Sequence, residues 1–153
     1  MINKEKNLIV TPHNIISREV TGEDLEVILK ISKEMLEYCR KPMGIFKSIL
    51  ALAHAQVENK SPLRFFVTTE GEIIVNPEIR RHTQSCVKSK EGCCSFPDRY
   101  SIEVDRWNKC EVDYYLLQED GTLSELIYEK LSGVRAKMFQ HEIQHFEGRY
   151  IYE

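Results

Sequence analysis

The sequence predicts an α+β fold, with antiparallel sheets packed around a central C-terminal helix that carries H-E-x-x-H, plus an N-terminal helix. Three observations predict it. Apolar residues recur at helical spacing from residue 25 to residue 39. The period then shortens through a middle region rich in aromatic and β-branched residues, broken by turn signals. Helical spacing returns from residue 134 to residue 146, just ahead of a glycine.

Taken in order, Thr21, Gly22, Glu23 and Asp24 read as a variant capping box that opens the first helix. Leu25, Ile28, Leu29, Ser32, Met35, Leu36 and Cys39 fall on one side, and Glu26, Lys30, Lys33 and Glu37 on the other. Lys41 and Pro42 end it, because the proline ring disfavours a helical residue before it. Residues 44–55 form a weaker apolar segment whose Ala and Leu content permits helix or, in part, loop. Residues 64–69 read as a strand. Glu70 and Gly71 turn the chain, and Ile73, Ile74 and Val75 read as the next strand, closed by Asn76 and Pro77. Residues 99–104 and 110–118 read as further strands. Glu119, Asp120 and Gly121 signal a turn, and residues 123–128 one more strand. Ser132 and Gly133 precede the last helix, residues 134–146, with Gly148 as its C-terminal stop.

The chain has 153 residues, which suits one domain over residues 1–153. Apolar residues make up 42%, charged residues 29%, and the net charge is −3. No basic excess invites nucleic acid, and no acidic tail marks a disordered chain. A mean hydropathy of −0.39 and the short apolar run Ile49, Leu50, Ala51, Leu52, Ala53 argue against a bilayer span. The first ten residues lack the long apolar stretch of a secretory signal, which predicts a cytoplasmic location. The five cysteines are Cys39, Cys86, Cys93, Cys94 and Cys110. An odd count without a C-x-x-C pair suits a reducing compartment and points to a metal ligand, a nucleophile or core packing.

The sharpest local signal is His141, Glu142, Ile143, Gln144, His145. Residues i and i+4 share one helix face, so the two imidazoles can bind one metal ion. Glu142 adjoins the first of them, where its carboxylate can serve as general base toward an attacking water. The plainer reading is a charged helix with two ordinary histidines. A catalytic metal usually takes a third protein ligand. Candidates are His82, Glu147, His54, His13 and the cysteines. Cys93 stands out, because Gly92 before it allows close backbone approach. A thiolate with two imidazoles suits iron(II), zinc, cobalt or nickel. Spacing alone does not choose Cys93 over Cys94.

At this point the chain resembles the peptide deformylases. That family carries three motifs, G-x-G-x-A-A-x-Q, E-G-C-L-S and Q-H-E-x-D-H. Glu91, Gly92, Cys93, Cys94, Ser95 match the second, and Gln140 through His145 the third, in the family's order and separation. Asn76, Pro77, Glu78, Ile79 and Val104, Asp105, Arg106 match flanking segments. The first motif is degenerate. Ala53 and Gln56 fit, but Ile49 and Ala51 replace the two glycines and His54 replaces the second alanine. Gln144 replaces the usual Asp of the third motif.

The resemblance implies Cys93, His141 and His145 as metal ligands and Glu142 as acid/base. It implies Gln56 and the backbone N–H of Cys94 as oxyanion donors. Ala51, Gly92, Val134 and Met138 would line the substrate site, and Glu91 would pair with Arg106. Plainer readings stand beside these. Gln56 would be a surface amide, Val134 and Met138 plain core, Glu91–Arg106 an exposed pair worth little. Arg80, Arg81, His82, Lys88, Ser89 and Lys90 read as solvated charge. The implied activity is metal-dependent hydrolysis of the N-formyl group from the N-terminal methionine of nascent polypeptides. The cofactor would be one divalent ion, iron(II) natively, with zinc, nickel or cobalt as substitutes. Formyl-methionyl peptides and the ribosome are the implied partners of a monomer. Altered specificity, motivated by Ile49, Ala51 and His54, and a non-catalytic metal-containing binding module are the rival readings.

Overall fold

A computed structural model describes residues 8–41 and 49–152 of the chain. A 3-10 turn, Gly22–Asp24, leads into helix α1, Leu25–Arg40. The Asp24 carboxylate accepts the Thr21 N–H at 2.8 Å, so the expected N-terminal capping contact forms. Ile28, Ser32, Met35 and Cys39 are buried, one stripe of the amphipathic pattern. Pro42, the expected stop, lies outside the described residues.

Residues 44–55 depart from expectation. Residues 44–48 lie outside the described residues, but Ala51–Ala53 is a strand, β1, and His54–Gln56 a 3-10 turn. Pairing with a neighbour overrides the helical preference of alanine, because every side chain here is buried. Strand β2, Phe65–Thr68, and strand β3, Ile73–His82, follow, joined through Gly71 at φ +100°. The expected closure at Asn76 and Pro77 is overturned, since β3 runs on to His82. Asn76 takes φ +51° at a register shift, and the strand bends there without ending. Its amide replaces the missing ladder contacts. Oδ1 accepts the Val20 N–H at 2.9 Å, and Nδ2 donates to the Val20 carbonyl at 3.0 Å.

Among the described residues, strand β4, Cys86–Glu91, pairs only with β5, Ile102–Trp107, as a separate two-stranded sheet. The expected strand at residues 99–104 therefore starts and ends three residues later. Strand β6, Lys109–Leu116, matches expectation, whereas β7 is Ile127–Ser132 and not residues 123–128. Helix α2, Gly133–Phe146, ends at Gly148, φ +74°. A Cβ on that glycine would sit 2.5 Å from the Asn14 carbonyl oxygen, so no other residue fits.

The larger sheet runs β1-β2-β3-β6-β7, each pair antiparallel. Strand β2 explains its layering. Phe66 faces α2, where Phe139 meets it edge-on at 5.2 Å alongside Phe146, Val112 and Ile143. Phe65 and Val67 join Ile28 and Met35 of α1 in a second cluster. Burial on both faces accounts for the unbroken apolar run that marked this strand. Each fully buried Phe contributes roughly 2 kcal/mol. Helix α2 is thus held between the larger sheet and strand β5.

Candidate metal centre

Helix α2 presents His141 and His145 one turn apart, with ring centroids 5.0 Å from each other. The loop leaving β4 brings Cys93 against them. The ligand atoms of these three residues lie within 4.8 Å of one another, and the Cys93 sulfur is 3.8 Å from His145 Nε2. Five-residue pattern and distant cysteine therefore meet, and Cys93 rather than Cys94 completes the group.

Each imidazole is held from behind. His141 Nδ1 donates to Glu91 Oε1 at 2.8 Å, and His145 Nδ1 donates to the Arg149 carbonyl at 3.2 Å. Both rings thus keep Nε2 for a cation. Burial and the neighbouring His141 hold His145 well below its ordinary range, so it is neutral, with its Nε2 facing the Cys93 sulfur. Burial pulls His141 down as well, but hydrogen bonds with the Cys93 sulfur and Glu91 carry it up to about 10, so a cation held there would displace a proton from its Nε2.

Glu91 is the hub behind the site. It accepts Arg106 Nε at 2.9 Å and Nη2 at 2.6 Å, and the Ser89 hydroxyl at 2.7 Å. Burial would raise its pKa, yet these donors and His141 hold it at about 2. Arg106 is 4% exposed, so the pair is buried and not the exposed contact of the plainer reading. Arg106 Nη1 also reaches Gln144 Oε1 at 3.0 Å, which gives the residue replacing the family's Asp its own partner.

Glu142 is 4% exposed, and its Oε1 has no hydrogen-bond partner among the described residues. Burial pushes its pKa up to about 7. A carboxyl that is buried, without a hydrogen-bond partner at Oε1 and near neutrality suits proton transfer. Gln56 is 2% exposed, which overturns the surface-amide reading. Its Oε1 accepts the Ala53 N–H at 3.0 Å. Its Nε2 then points at the cysteine loop, 3.1 Å from Ser95 Oγ, 3.4 Å from Cys94 Sγ and 3.6 Å from Cys93 Sγ. Cys94 packs against the α1 cluster, and burial pushes its thiol up.

The family model for polypeptide deformylase matches residues 7–153. The chain belongs to this family. The deformylase of Aquifex aeolicus is 28% identical over 156 residues, 94% of this chain and 83% of that protein. That of Thermus thermophilus is 29% identical over 144 residues, 86% of this chain and 71% of that one. Among solved structures, the Ehrlichia chaffeensis deformylase in complex with actinonin superposes with a TM-score of 0.74 at 30% identity, covering 93% of this chain and 84% of the other. The deformylase from the Vibrio parahaemolyticus bacteriophage VP16T, also with actinonin, gives 0.73 at 28% identity, with coverage of 94% and 98%.

The other candidate ligands of this deformylase lie elsewhere. His54 stacks on Phe65, and its Nδ1 accepts the Leu63 N–H at 2.9 Å. His13 Nε2 donates to the carbonyls of Ala55 and Glu58, His82 lies flat on Trp107, and Glu147 pairs with Arg149. Ala51 packs with Phe66 in the core, Gly92 is exposed, and Met138 packs against the α2 cluster. Val134 is 64% exposed, which excludes the plain-core reading for it. Ser89, read as solvated, is buried on Glu91, and Arg80 pairs with Asp113 at 2.7 Å. Gln140, within the third motif but without a stated role, clamps the helix to β5. It accepts the Trp107 N–H at 2.8 Å and donates to the Trp107 carbonyl at 3.0 Å.

Proposed function

We propose that this deformylase acts as a single metallohydrolase domain over residues 1–153. It hydrolyses the N-formyl group from the N-terminal methionine of nascent polypeptides and releases formate. The observation that carries the site assignment is the convergence of Cys93, His141 and His145 beside the buried, unpartnered carboxylate of Glu142. One thiol and two back-anchored imidazoles fit a single divalent cation, and that fit supports these three as its ligands. When bound, the cation supplies Lewis acidity and lowers the pKa of water at the site. Iron(II) is our assignment for the native ion, with zinc, nickel or cobalt as substitutes. A mixed sulfur and nitrogen donor set suits all four.

The residues divide the remaining work. Glu142 takes the proton of the attacking water and delivers it to the leaving amine. Gln56 Nε2 and the Cys94 backbone N–H donate to the formyl oxygen as it gains charge; one such donor is typically worth about 3 kcal/mol. Glu91 and Arg106 hold His141. Among the described residues, strand β1 has a strand neighbour on one side only, so an extended peptide can add beside Ala51. Gly92 admits its backbone closely, and Val134 and Met138 meet its first side chain. The enzyme works as a monomer on chains emerging from the ribosome in the cytoplasm. No described helix is long and apolar enough to cross a membrane.

The test is formate release from formyl-Met-Ala-Ser by protein loaded with one equivalent of metal. Release is expected to depend on metal and to fall by about 10²–10⁴-fold in Glu142→Gln. A fully loaded protein that releases no formate overturns the proposal, and cleavage of internal peptide bonds replaces it with a protease.

A further inference from the structure

The residues after α2 return across the metal centre. Gly148 reverses the chain against the Asn14 backbone. Arg149 then offers its carbonyl to His145 Nδ1 at 3.2 Å. Tyr150 follows and makes contacts in three directions. Its ring lies 5.0 Å from the His145 ring, tilted by 55°, and meets Phe96 edge-on at 5.4 Å. Its hydroxyl accepts the His13 N–H at 3.1 Å. Both partners are themselves fixed. The Phe96 N–H donates to the Cys93 carbonyl at 2.9 Å, and His13 Nε2 donates to the carbonyls of Ala55 at 2.8 Å and Glu58 at 3.0 Å.

We propose that Tyr150 is a positioning residue for the metal centre: its ring, braced between Phe96 and the His13 backbone, holds the His145 imidazole in the orientation that turns Nε2 toward Cys93. The proposal rests on the metal-ligand assignment above. Two constraints are needed to fix an imidazole. The Arg149 carbonyl sets which nitrogen faces away, but a single hydrogen bond leaves the ring free to rock about it. The Tyr150 ring supplies the second constraint by blocking that motion. It also ties the helix ligand to the turn that carries Cys93, since Phe96 belongs to that turn. Residues behind a metal ligand typically govern 10–100-fold in metal affinity. Tyr152 serves as an internal control. It packs on Phe96 at 5.1 Å and beneath the Arg99 guanidinium at 4.7 Å, so it belongs to the same aromatic group but braces the Cys93 turn alone.

The experiment uses the whole chain loaded with cobalt(II) alone, which reports thiolate and imidazole binding by its visible spectrum. Cobalt release to excess chelator is timed for the parent protein, Tyr150→Ala, Tyr150→Phe and Tyr152→Ala, beside the melting point of each metal-free form. Tyr150→Ala is expected to release cobalt at least about 10-fold faster and to shift the visible bands. Tyr150→Phe and Tyr152→Ala should stay within about 3-fold of the parent, whatever their melting points, because both keep a ring against His145. If Tyr150→Ala does not fold, Tyr150→Val carries the same expectation. Parent-like release and spectrum in Tyr150→Ala, or in Tyr150→Val where that variant stands in for it, overturn the proposal, as does equal acceleration by Tyr152→Ala, which would reduce the effect to general loosening. A parent protein that binds no cobalt overturns the ligand assignment itself, and this inference with it.

Discussion

Glu91 Oε1 stands 2.8 Å from His141 Nδ1 and 2.6 Å from Arg106 Nη2. One carboxylate therefore does two jobs. It compensates a buried guanidinium, and it selects the imidazole nitrogen left for a cation. Structural and chemical roles cannot be separated at this position, because the charge that neutralises Arg106 is the same charge that orients His141.

Glu91→Gln keeps the size and removes the charge. Arg106, buried at 4% exposure, then loses its counter-ion. Breaking a buried pair from one side costs about 3–5 kcal/mol. We expect that loss in denaturant unfolding of the metal-free protein, together with roughly 10–100-fold weaker metal binding. An unchanged unfolding midpoint would show that Arg106 finds another partner.

Glu142→Gln should separate metal binding from turnover. The carboxylate holds no other group in place, since its Oε1 is unpartnered among the described residues. Metal content should stay at one equivalent while deformylation falls by about 10²–10⁴-fold. A parallel loss of metal would make Glu142 a structural support for the ligands.

The altered first motif leads to a third expectation. Side chains at Ile49 and Ala51 would narrow the substrate channel if they projected into it. Instead Ala51, 7% exposed, packs with Phe66, and Ile49 packs against the α1 cluster. Restoring glycine at Ala51 removes a buried methyl from a strand, where glycine costs about 0.5–1 kcal/mol. We expect a melting point lower by about 2–4 °C and no gain in kcat/KM. A clear gain would mean that the alanine methyl does obstruct the peptide.

How much of this was legible in the sequence follows from where each signal resides. The His141 and His145 pair announces itself, because helical spacing and ligand chemistry coincide. The choice of Cys93 over Cys94 rests on which way each side chain leaves a turn, and adjacent residues carry no spacing difference. Strand β4 was hidden because Lys88 and Lys90 face solvent and only Ser89 is buried, so no apolar alternation survives. Asn76 and Pro77 predict the end of strand β3 because those residues usually break strands. The chain continues through a distant contact, the two reciprocal hydrogen bonds between Asn76 and Val20, which local sequence cannot express. The support behind His145 is a backbone carbonyl, an acceptor that every residue type offers and no pattern marks.

His54 replaces a family alanine and gives the protein a pH-sensitive core. Its unprotonated Nδ1 accepts the Leu63 N–H at 2.9 Å, and its ring stacks on Phe65 at 4.8 Å. Burial pulls its pKa from the ordinary 6.5 down to about 4, with Glu58 opposing weakly. Between those values the unfolded chain binds a proton that the folded chain refuses. The contribution of His54 to stability is therefore complete above 6.5, declines as pH falls toward 4, and levels off below it. The gap corresponds to about 3 kcal/mol. Unfolding of the parent and of His54→Gln, compared near pH 7 and near pH 4.5, isolates this group from the carboxylates that both proteins share. The parent should lose about 2 kcal/mol more than the variant on acidification. Equal losses in the two proteins would mean that the core opens to admit the His54 proton without unfolding.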